Sequence, residues 1–99
     1  MRFIEAGNAL ICALPKRLDT QNSQELEVEI NNWIDTAHSK VVFDFQDVEF
    51  ISSYFLRICL ATHKKVGNEN FEITNVRADI KKVFMIAGFD KFITIISTD

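Results

Sequence analysis

One run constrains this chain more than any other: Val41-Val42-Phe43-Asp44-Phe45. β-branched and aromatic side chains in succession suit a pleated, covered surface, so the run reads as a central strand. On either side of it the apolar period becomes helical. Before it, Leu26, Ile30, Trp33, Ile34 and Ala37 recur at helical spacing and leave Glu27, Glu29, Asn31 and Asp35 toward water. After it, a second helix opens at Ser52 or Ser53 and turns Leu56, Cys59, Leu60 and part of His63 inward. Strand, helix and strand in alternation imply parallel pairing with right-handed crossovers.

The remaining elements follow from punctuation. Residues 2-6 and 9-14 are two short strands joined by a Gly7-Asn8 turn. Asn22 is placed as the cap of the first helix with Glu25 three residues later, an arrangement like a capping box. Gly67 stops the second helix behind Lys64 and Lys65. A strand at 71-74 leads to a third helix at 78-87, with Ile80, Val83, Phe84 and Ala87 inward and Gly88 at its end. Residues 92-96 form the last strand. The order β-β-α-β-α-β-α-β predicts one α/β domain over residues 1-99, a mixed sheet of about five strands with three main helices packed on it.

Composition narrows the function. The 99 residues are 47% apolar and include nine Phe, enough for a packed core without staples. A net charge of -3 with no basic stripe argues against nucleic acid or an acidic membrane surface as partner. The N-terminal apolar stretch is broken by Glu5 and Asn8, so neither a spanning helix, direct membrane insertion nor a signal peptide is expected. Cys12 and Cys59 sit in the apolar runs LICAL and RICLA, where a thiol acts as a small hydrophobe. Without CxxC spacing they predict no disulfide scaffold and no metal site, and a reducing, cytoplasmic location. His38 and His63 stand apart from any carboxylate or cysteine at ligand spacing, so no metal or cofactor is expected. Trp33 reads as core packing, and Lys64, Lys65, Lys81 and Lys82 as solvated helix faces. A Gly-rich phosphate loop and paired histidines are both missing, which argues against an enzyme.

The segment VVFDFQDVEFISSYFLRICL resembles the signature of STAS domains, the sulfate-transporter and anti-sigma-factor-antagonist family. That signature is a strand ending in Asp, a short loop, then Phe-(Ile/Met)-Asp-Ser-(Ser/Thr)-Gly-Leu opening a helix. Asp44 takes the strand Asp, while Val48, Phe50 and Ile51 take the apolar loop positions. Ser53 takes the phosphorylatable Ser and Leu56 the apolar anchor. Leu18-Asp19 is similar to the pair before the family's first helix, and IKKVFMIAGFDKFITII to its closing helix-Gly-strand pattern. Ser52 stands where the family has Asp, Tyr54 where it has Ser or Thr, and Phe55 where it has Gly.

The resemblance implies a phosphorylation switch at Ser53, with Ser52 the second choice, worked by a serine kinase that is also an anti-sigma factor and reset by a serine phosphatase. The partner-binding surface it implies comprises Asp19, Asp44, Ser52, Ser53, Tyr54, Phe55 and Arg57. Read from the residues alone, Ser52 or Ser53 simply caps the helix. Tyr54 and Phe55 have two readings, exposed interface anchors or, for Phe55, core filler. Asp44 is either a strand-end residue bonding loop N–H groups or an acidic rim of the switch.

A binding module that regulates by switching partners is therefore the leading expectation. The alternatives are a STAS accessory subunit docking on an ABC transporter ATPase of the lipid-transport type, and a signalling-scaffold subunit held constitutively through Tyr54 and Phe55. A weak homodimer through exposed aromatics is left open.

Overall fold

Gly7, at φ +62°, turns strand β1 (Arg2–Ala6) back onto β2 (Ala9–Ala13), and the two pair antiparallel. Every later pairing is parallel. The computed structural model describes residues 1–34 and 40–97; the predicted placements of Ala37, Asp35 and His38 lie outside them. The further elements are β3 (Arg17–Leu18), α1 (Thr20–Ile34), β4 (Lys40–Asp44), β5 (Phe50–Ile51), α2 (Ser53–Val66), β6 (Phe71–Val76), α3 (Ala78–Ile86) and β7 (Thr94–Ser97). Five of the strands form one sheet in the order β1-β2-β4-β6-β7, so the run singled out in the sequence is its middle strand. The α/β class and the mixed five-stranded sheet with three helices are as the sequence predicts.

The register puts Leu10 beside Val41 and Phe71, and Cys12 beside Phe43 and Ile73, all on one face and all buried. These residues and the buried sides of α1, α2 and α3 make one core. Helix α1 packs on β2 and α2, α2 on β6, and α3 on β7. Aromatic rings tie the layers together. Phe43 meets Phe71 edge-on at 4.9 Å, and Phe55 from α2 lies 5.8 Å from Phe43 and 6.2 Å from Phe45. Trp33 is half-buried and stacks on Phe3 at 5.0 Å, a packing role as expected.

Two local expectations need correction, the cap of α1 and the inward placement of Ala87. Asp19, not Asn22, caps α1: its Oδ1 accepts the Asn22 N–H at 2.8 Å. Asn22 sits one turn inside and hooks its side-chain amide back to the Arg17 carbonyl at 2.7 Å. Helix α2 turns Leu56, Cys59, Leu60 and His63 toward the core as expected, Leu56 and Leu60 half-buried against it, and adds Phe55, Ile58 and Thr62 to the buried set. The buried set keeps an i, i+3, i+4, i+7 pattern; its stripe runs through a threonine that hydropathy does not count. Ala87 is exposed, because α3 ends at Ile86 before its stripe completes another turn.

The helix ends follow their chemistry. Gly67 ends α2 at φ +96° and donates its N–H to the His63 carbonyl at 2.9 Å. Asn75 is the one described non-glycine residue at positive φ, +58°, where the β6–β7 register shifts. An asparagine tolerates that conformation better than most residues.

Candidate functional site

The site rests on a device that a hydropathy pattern does not reveal, a two-residue parallel ladder between β3 and β5. Leu18 and Ile51 are its buried pegs. The Lys16 carbonyl accepts the Glu49 N–H at 2.8 Å, and the Leu18 carbonyl accepts the Ser52 N–H at 2.8 Å. Each strand runs straight into a helix, β3 through Asp19 into α1 and β5 through Ser52 into α2. Two helix N-termini are thereby set side by side, and Asp19 follows Leu18 as Ser52 follows Ile51.

The adjacent serines divide the work. Ser52 has extended backbone (φ -91°, ψ 163°) and its Oγ accepts the Phe55 N–H at 3.3 Å, so it is the cap. Ser53 is the first helical residue, exposed, and among the described residues its hydroxyl makes no hydrogen bond. A cap contributes about 1 kcal/mol to the helix, so Ser52 has a structural duty and Ser53 has none.

Tyr54 and Phe55 separate likewise. Phe55 is fully buried between α2 and the sheet. It therefore cannot anchor a partner, and of its two readings the structure supports core filler: with Gly there, the space between Phe43, Phe45 and α2 would be void. Tyr54 is half-buried and donates its hydroxyl to Glu27 Oε1 at 2.7 Å, joining α2 to α1. The Arg57 guanidinium lies over the Tyr54 ring, 5.0 Å from its centre. The hydrogen bond to the Glu27 carboxylate, with lesser help from burial and from Glu27's charge, raises the Tyr54 pKa above its ordinary 10, and Arg57 opposes this. Glu27→Gln removes the carboxylate and should bring the phenol's titration down toward 10. A spectrophotometric titration reads this cleanly, since Tyr54 is the only tyrosine.

Asp44 ends β4 and accepts at Oδ1 from the Gln46 N–H and from Asn75 Nδ2, both at 3.0 Å. It thus does what a strand-end residue does, pinning the turn that leads to β5. Hydropathy alone does not mark Phe50 as a surface residue. Phe50 is 41% exposed with the Arg17 guanidinium 4.5 Å over its ring. It fills an apolar loop position of the motif, and only the ladder shows that this position faces outward.

Beside the ladder lies a groove of about 480 Å³ lined by Lys16, Gln46, Asp47, Glu49 and Arg77. Its charges are internally matched, with Glu49 3.8 Å from both Lys16 and Arg77. Among the described residues no cluster of His, Cys, Asp and Glu is arranged to hold a metal ion, and no helix is long and apolar enough to cross a membrane. The two thiols are buried, and desolvation pushes Cys12 up to about 12 and Cys59 higher, so both stay protonated near neutrality. His63 is buried against Phe92, ring centres 5.2 Å apart.

Comparison with known proteins agrees with this fold. A Bordetella bronchiseptica protein named as an anti-sigma factor antagonist, BtrV, is 29% identical over 82 residues, covering 81% of this chain and 71% of its own. The crystal structure of an anti-sigma factor antagonist from Mycobacterium paratuberculosis superposes with a TM-score of 0.89 at 23% identity, over 98% of this chain and 84% of that one. The Bacillus cell fate determinant SpoIIAA in its phosphorylated form gives 0.73 at 15% identity, over 99% and 91%. The family model of the STAS domain matches residues 2–98, and with the fold and helix pairing described above the chain belongs to the STAS domain family.

Proposed function

We propose that this protein is a non-catalytic partner-switching regulator of the anti-sigma-factor-antagonist kind, which binds a serine kinase that is also an anti-sigma factor and is released by phosphorylation at Ser53. The observation that carries the proposal is the free, exposed Ser53 hydroxyl beside a Ser52 already engaged as cap. The partner covers Ser53, Ser52, Tyr54 and Arg57, with Asp19 at the edge. In the transfer, Ser53 Oγ forms a bond to the γ-phosphorus of ATP and the bond to ADP breaks. The hydroxyl proton goes to a base on the kinase, and a serine phosphatase later hydrolyses the phosphoester.

The added group carries about -1.5 to -2 charge and three acceptor oxygens. Free N–H groups and the positive end of α2 meet it on the domain's side, so the fold tolerates it. A partner surface shaped for a neutral hydroxyl does not. BtrV, by its name, favours this reading over docking on a transporter ATPase. The test is a pull-down with the cognate kinase before and after ATP. Wild-type protein should leave the kinase when ATP is added, whereas Ser53→Ala should stay bound. A Ser53→Ala complex that dissociates as readily as wild type contradicts the proposal.

A further inference from the structure

Serine 53 and arginine 57 stand four residues apart on α2, one turn along the same helix face, and both are exposed. An anion placed N-terminal to a cation at this spacing is the favourable order. Arg57 has no carboxylate partner among the described residues, and its guanidinium rests on the Tyr54 ring. Of the other cations at this end, Lys16 pairs with Glu49 and Arg77 with Glu49 and Asp79, while Arg17 stacks on Phe50 and belongs to β3, not to the helix that carries Ser53. Tyr54 does not depend on Arg57 for its place, because its hydroxyl is tied to Glu27.

We infer that Arg57 is the internal partner of the phosphorylated switch: when Ser53 carries phosphate, the Arg57 guanidinium leaves the Tyr54 ring and donates to the phosphate oxygens. A dianion with three acceptor oxygens outcompetes a ring face for a guanidinium at an exposed site. The surface then changes in two further ways. A cation available to the partner is neutralised, and the face of Tyr54 is uncovered. The released state is thus a rearranged surface rather than the old one with a phosphate added. This deepens the reading of Ser53 as the switch and rests on it.

The experiment places phosphoserine at position 53 of the full chain by genetic encoding, so that no kinase is needed, and titrates it by phosphorus NMR. The phosphate's second ionisation, near pH 6, should fall about half a unit lower with Arg57 than in Arg57→Gln. Arg57→Lys, keeping the charge, should restore most of the difference. The ring resonances of the single tyrosine should move further on phosphorylation in the wild-type background, where a cation also leaves the ring, than in Arg57→Gln. Coincident titrations in the two backgrounds with equal Tyr54 shifts would overturn the inference. Failure of a kinase to label Ser53 would instead remove the switch and leave this pairing intact, so the two failures are separable.

Discussion

Ser53→Asp should weaken the complex with the partner kinase about thirtyfold, which corresponds to about 2 kcal/mol at the interface. The substitution puts a fixed negative charge on the first residue of α2, on the surface proposed to meet the partner. Removing a carboxylate from water without a matching cation costs several kcal/mol. Part of that is offset here, because the charge faces the helix N-terminus and Arg57 lies one turn away. About 2 kcal/mol is what we expect to remain. The domain itself should be indifferent, since an acidic residue in the first turn suits the helix dipole. Calorimetric titration against the kinase, with thermal melts of the free proteins as control, separates the two effects. Equal affinity for Ser53→Asp and wild type, at equal melting temperature, would contradict the account.

The other large effect concerns the support under the site. Phe55→Ala should destabilise the fold by about 3–5 kcal/mol, the range for truncating a fully buried aromatic. Phe55 is completely buried and bridges Phe43 and Phe45 of the central strand region to the first turn of α2. Phe45 in turn meets Phe84 of α3 at 5.6 Å, so the cavity would open where two helices meet the sheet. Against a total stability of about 5–15 kcal/mol for a domain of this kind, such a loss leaves it marginal. Urea denaturation monitored by circular dichroism measures it. A loss under about 1 kcal/mol would mean that Phe55 is not packed as described.

Much of this fold is legible in the sequence because it is written in period and punctuation. Val41 to Phe45 announces the middle strand, Gly7 its hairpin neighbour's turn, and Gly67 and Gly88 the helix ends. The β3–β5 ladder is not legible by the same route. Two residues are too few for an alternation, and Arg17-Leu18 and Phe50-Ile51 gain meaning only when the chain brings them together. Asp19 and Asn22 show a related limit: both are good capping residues, and which one caps depends on where the ladder releases the chain. The site itself divides similarly. The resemblance to STAS domains points to Ser53 by position. That Ser52 takes the cap, that Phe55 turns inward and that Arg57 lies on Tyr54 depend on three-dimensional packing.

A switch at Ser53 requires its hydroxyl to take up the phosphate, and the modified residue can be located directly. Incubation of the protein with its cognate kinase and ATP, followed by mass spectrometric mapping, should place one phosphate on Ser53 and none on Ser52. A tightly bound kinase that leaves Ser53 unmodified in the presence of ATP would contradict it.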